Sequence, residues 1–158
     1  MSMIRRLSAA AALAFVASHA AADIQPQSGL WSGALHVVGE RGCPTEIRQG
    51  LSDTFSQGGY ENEQITFPDP FGPEAIAGDF KWTRTGENVW TASDKQTQKT
   101  PVGRVKLAFT HTLTVLSETQ MDQRSTIEMT LPKKLANMLG VGGPCVVDSR
   151  VDHTRVGG

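Results

Sequence analysis

Catalytic signatures are missing from this chain of 158 residues. It carries no Gly-x-Ser-x-Gly elbow, no His-Glu-x-x-His, no phosphate-cradling glycine loop and no cysteine with a base beside it. The sequence therefore predicts a protein that is not an enzyme, with no catalytic residue, no cofactor and no metal. Gly140-Val141-Gly142-Gly143 superficially resembles a nucleotide loop, but no lysine follows and a strand comes next, so it reads as a hinge. Clustered positive charge is also lacking: 15 Lys and Arg face 16 Asp and Glu and are spread through polar strand positions and loops, which argues against nucleic acid as a partner. Long hydrophobic runs are absent too. The one apolar stretch, residues 7–17, is too short to span a bilayer as a permanent helix.

That stretch has another reading. Arg5 and Arg6 precede it, and Ala20-Ala21-Ala22 follows with the small residues a signal peptidase cleaves. Residues 1–22 thus read as a secretory signal peptide and residues 23–158 as a single exported domain with no transmembrane segment. Removing Arg5 and Arg6 lowers the basic count from 15 to 13 against 16 acidic residues, a net charge of about minus three. The alanine-rich signal has a bacterial character, so the expected compartment is the periplasm of a Gram-negative bacterium or the medium.

Cysteine is scarce, and export decides how the pair is read. Cys43 and Cys145 are the only two and do not share a Cys-x-x-Cys motif, so in an oxidising compartment they are expected to form one structural disulfide. The link joins the end of the first strand to the start of the last. It closes a loop of roughly 100 residues, for which chain entropy gives about 4 to 5 kcal/mol.

Alternation with period two runs through most of the remaining sequence, as in half-buried antiparallel strands. In residues 104–116, Val105, Leu107, Phe109, His111, Leu113 and Val115 share one face and Lys106, Thr110, Thr112 and Thr114 the other. Residues 121–131 repeat the pattern, with Met121, Ile127, Met129 and Leu131 inward, so the two segments form a long hairpin. Further strands are predicted at 30–38, 45–51, 60–67, 79–84, 89–93 and 146–154. Trp82 and Trp90 are placed to stack across the fourth and fifth of the eight. The one helical signal is residues 132–139, where Pro132 opens, Leu135, Met138 and Leu139 recur at helical spacing and Gly140 stops. The expected fold is all-β: an antiparallel up-and-down meander of about eight strands closing into a barrel, with one short helix before the last strand. A two-sheet sandwich is the alternative.

Gly29-Leu30-Trp31 on the first strand resembles the Gly-x-Trp of lipocalin-like (calycin) barrels, and the helix before a late strand matches in outline. A nearer likeness is to small uncharacterised exported proteins of Gram-negative bacteria that begin with a Gly-Leu-Trp strand and end with a cysteine-bearing strand. The resemblance implies a barrel whose closed end is plugged by Trp31, with Arg150 or Arg155 packed over the indole. It implies no activity.

An eight-stranded barrel is filled by its own side chains or holds one small apolar ligand. The candidate interior is Trp31, Leu35, Val37, Phe109, His111, Leu113, Ile127 and Met129. His111 and His153 are the inward histidines, and no third ligand at readable spacing makes them a metal site. Residues 67–78 form a proline-stiffened loop whose Phe67, Phe71 and Ile76 are a lid over the barrel mouth, a docking surface, or a flap tucked onto the domain's own core. Two functions follow. The first is an exported, non-enzymatic binder of a small hydrophobic or amphipathic ligand. The alternative is a cell-envelope protein–protein interaction module with a filled barrel and the proline-rich loop as its docking element.

Overall fold

A computed structural model describes residues 23–56 and 58–158, leaving the expected signal peptide outside the described residues. The chain is all-β. β1 (Gly29–Arg41) is followed by α1 (Thr45–Ser56), β2 (Gly59–Ile65), α2 (Glu74–Ala77), β3 (Thr83–Gly86), β4 (Val89–Thr100), β5 (Gly103–Ser117), β6 (Gln120–Thr130), α3 (Lys133–Met138) and β7 (Cys145–Gly157). The seven strands form one antiparallel sheet in the order β2-β1-β7-β6-β5-β4-β3. That is the order of a meander whose first and last strands pair. The one sequential pair left without hydrogen bonds is β2 and β3, the two edges.

The long hairpin forms as expected, with the inward residues of both strands on one face. Phe109 lies opposite Ile127 and Leu107 opposite Met129, and β7 continues the face with Val147 opposite Ile127 and His153 opposite Met121. Directly opposed residues share a face, so this inner face also carries Leu35 and Gly33 through their pairing with Val151 and His153. Cys43 and Cys145 are disulfide-bonded with Cα atoms 4.3 Å apart, bridging 102 positions where β1 ends and β7 begins.

Three expectations need correction. Residues 45–51 are not a strand but the start of α1, so the strands among the described residues number seven. Pro44 accepts the Arg48 N–H at 3.0 Å to close the first turn, Glu46 sits in that turn, and Ile47, Leu51 and Phe55 recur every four residues, a period that suits a helix. The helix at 132–139 is not the only one, since α2 lies inside the proline-rich loop. Trp82 and Trp90 do not stack on each other: β3 begins only at Thr83, Trp82 meets Phe80 and His111, and Trp90 meets Phe71.

Candidate functional site

The inner face divides along its length. At the end where the chain enters β1, Trp31 and Leu113 are fully buried, with Val115 and Met121 at 2% and 1% exposure. Their cover comes from outside the sheet. The proline-rich loop lays Phe67 edge-on against Trp31, at 5.3 Å between centroids, and Phe71 against Phe67 at 5.5 Å. Phe71 then meets Trp90 on β4 at 5.1 Å. A relay of four aromatic rings therefore links β1 to β4 across the inner face in the edge-to-face geometry that aromatic quadrupoles favour. Ile76 packs against the same cluster.

The N-terminal segment seals this end. Ile24 N–H donates to Asn88 Oδ1 at 2.7 Å, Gln27 N–H to the Glu118 carbonyl at 2.9 Å, and the Trp31 indole N–H to the Gln27 carbonyl at 3.0 Å. Arg155 lies opposite Trp31 in the ladder and donates from Nε to the Ser28 carbonyl. Arg150 is elsewhere, on the outer face, where it and Arg124 enclose the buried Asp122 carboxylate.

Two buried histidines mark the border of this core. His153 is hydrogen-bonded on both sides, its Nδ1 2.9 Å from the Tyr60 hydroxyl and its Nε2 3.1 Å from Gln123 Oε1. An amide oxygen only accepts, so Nε2 carries the proton and Tyr60 donates to Nδ1. Burial pushes the His153 pKa down to about 4 against the opposing pull of Asp122 and Asp152. Burial also raises the Tyr60 hydroxyl well above its ordinary value, with Glu63 adding to the effect. Gly33 makes room for this pair: a Cβ there would lie 2.3 Å from the Tyr60 ring.

His111 is less well satisfied. Its Nδ1 is 2.8 Å from Ser125 Oγ, whereas Nε2 is buried with no hydrogen-bond partner among the described residues. Phe80 lies over the imidazole at 4.3 Å between centroids, with Trp82 and Phe109 at 6.2 and 6.4 Å. Burial among these rings lowers its pKa from the ordinary histidine value. An imidazole nitrogen enclosed by aromatics and left unpaired is costly unless something completes it.

Beyond His111 the same face changes character. Leu35, Leu107, Phe109, Ile127 and Met129 are only half-buried and Val37 is 43% exposed, although Cys145 and Val147 beside the disulfide are buried. The candidate interior is thus split. Trp31, His111 and Leu113 belong to the closed end, while Leu35, Phe109, Ile127 and Met129 share the half-covered one. An open groove of about 660 Å³ on β1 and β2 is lined by Gly33, Leu35, Tyr60 and Asp152 among others and shares only Leu35 with that set.

Among the described residues no group of three or more His, Cys, Asp or Glu is placed to hold a metal ion. Sequence reasoning missed the Tyr60–His153–Gln123 relay and the Phe80 and Trp82 cover. Gln123, a polar residue in the inward phase of β6, is the signal that points to the first. Phe80 falls in the segment expected as a strand at 79–84 but lies between α2 and β3, so strand alternation does not mark it. Comparison with protein families, curated proteins and solved structures finds no match to this chain.

Proposed function

We propose that the protein is an exported, non-enzymatic binder of a small hydrophobic or amphipathic molecule, and that its sheet wraps as a lipocalin-like barrel with the seam between β2 and β3. The strand order supports the wrapping, because β1 already pairs with β7 and only that seam is unpaired. The proline-rich loop contacts β1 through Phe67 and β4 through Phe71, the strands next to the two edges, which is consistent with such a wrap. The observation that carries the ligand reading is the border at His111. A buried Nε2 without a partner adjoins half-covered Phe109, Leu107, Ile127 and Met129 on one face. That combination of an apolar wall and one convergent polar group suits an amphipathic ligand.

The alternative, docking through the loop, is less well supported. Phe67 is 7% exposed, and Phe71 and Ile76 pack against the chain's own core.

The test is native mass spectrometry with organic extraction on protein purified from the periplasm of a Gram-negative host. A co-purifying small molecule is expected, and Ile127→Glu, which points a charge into the half-covered face, abolishes it while circular dichroism is unchanged. A clean apo mass under conditions that preserve the fold overturns the reading.

A further inference from the structure

The basic residues look dispersed in the sequence, but the fold gathers six of them at one end. Lys95 and Lys99 on β4 and Arg104 and Lys106 on β5 alternate in phase on the outer face. Lys99 lies directly opposite Arg104, and Lys106 opposite Thr97. Across β5, Lys106 is also opposite Thr130, the last residue of β6, from which the chain passes into α3 carrying Lys133 and Lys134. The start of α3 abuts the β4–β5 turn, since a Cβ on Gly103 would lie 2.7 Å from Pro132.

All six cations are exposed, and none pairs with a carboxylate among the described residues. By contrast, Arg41, Arg48, Arg84, Arg124 and Arg150 each sit against one. Glu128 is the carboxylate nearest in register, opposite Ala108 on the same outer face; it shares a shallow groove of about 250 Å³ with Lys95 and Lys106.

Folding does not favour this arrangement. Like charges directly opposed on neighbouring strands repel, and Lys133 and Lys134 fill the first turn of α3, where the helix dipole disfavours cations. Exposed apolar side chains stand among them: Val102 in the β4–β5 turn is 39% exposed and Met138 at the end of α3 is 70% exposed. Exposed cations on the elements that carry these apolar side chains match an anionic lipid surface, which attracts the charges and accepts the side chains into its headgroup boundary. A bare polyanion such as nucleic acid would leave Val102 and Met138 without a role.

We propose that this end of the molecule, formed by the β4–β5 turn and α3, docks on anionic lipid bilayers. The docking does not depend on any ligand held at the inner face.

The test is co-sedimentation of the full chain with vesicles of phosphatidylcholine alone or mixed equally with phosphatidylglycerol. Binding to the mixed vesicles that weakens steeply with salt is expected. The combined variant Lys99→Gln, Arg104→Gln, Lys133→Gln and Lys134→Gln lowers the partition coefficient roughly 100-fold or more, at roughly fivefold per charge. It also keeps or raises the melting temperature, since it removes repulsion. Met138→Asp alone lowers partitioning several-fold and leaves the fold intact. Unchanged partitioning in the four-site variant, or an equal loss on replacing Lys81 and Arg84 with Gln, overturns the proposal. So does binding to duplex DNA with none to the mixed vesicles.

Discussion

Two stretches of the same strands, built on the same alternation, end up in different environments. Trp31 on β1 and Leu113 on β5 are fully buried. Six residues away on each strand toward the disulfide end, roughly 20 Å at strand rise, Val37 is 43% exposed and Leu107 only half-buried. The inward phase continues between them through Gly33 and Leu35 on β1 and through His111 and Phe109 on β5. What differs is the cover: the closed half has an N-terminal segment and a proline-stiffened loop laid over it, while the open half has a covalent staple at its margin. Alternation states which face is apolar, and a separate part of the chain decides whether that face becomes core or surface.

The sharpest way to break the contrast is to remove a main support from each half. Trp31→Ala removes a fully buried indole and should cost about 3 to 5 kcal/mol, measured by urea unfolding of the purified protein. A loss below about 1 kcal/mol would mean that the closed half is not the stabilising one. The disulfide tests the other half. Replacing both Cys43 and Cys145 with Ala should cost about 2 to 4 kcal/mol, less than the chain-entropy figure for a loop of 102 positions, as disulfides typically do. Hydrogen exchange should locate the loosening at the β1 and β7 ends nearest the bond, with the Trp31 region still protected.

How much of this contrast is legible in the residues follows from the same physics. A face buried on one side imposes period two, so residues 104–116 and 121–131 suffice to place the β5–β6 hairpin and its inward face. Two cysteines in an exported reading suffice for the bond. The segment 45–51 misleads because it is too short for alternation to be told from helical spacing, and Ile47 fits either. The cover is the least legible part. Phe67, Phe71 and Ile76 are visible as residues that avoid water, but whether they turn inward or outward depends on Trp31 and Trp90 being within reach, which only the sheet order settles. The six unpaired cations are invisible for the same reason: they lie in separate segments until β4, β5 and α3 converge.

The histidine at the border gives an intermediate effect. His153 is neutral in the fold, with its pKa pushed down to about 4 against roughly 6.5 in an unfolded chain. Between those values the unfolded state takes up a proton that the folded state refuses. The stability from this residue is therefore full above about pH 6.5 and declines as pH falls toward 4, by on the order of 2 to 3 kcal/mol. His111, lowered in the same direction by burial, adds to the slope. Urea midpoints at pH 7, 5.5 and 4.5 should fall in that order, and His153→Gln should flatten the series. A parent series flat across that range would mean that the Tyr60–His153–Gln123 relay opens to solvent at little cost.

The smallest effect on stability belongs to the open half and has the greatest bearing on function. Phe109→Ser removes a half-buried ring opposite Ile127, and since water already reaches part of that face, the expected cost is under about 1.5 kcal/mol. A residue placed there for the core alone would cost more, and a residue held for a ligand should show its loss in binding instead. Thermal unfolding of parent and variant, each before and after organic extraction, separates the two. A parent whose melting temperature falls on extraction, beside a variant that is insensitive to it, places the stabilising molecule at this face. If both melt alike before and after extraction, and the variant loses 3 kcal/mol or more, the open half is core after all and the division between the two ends disappears.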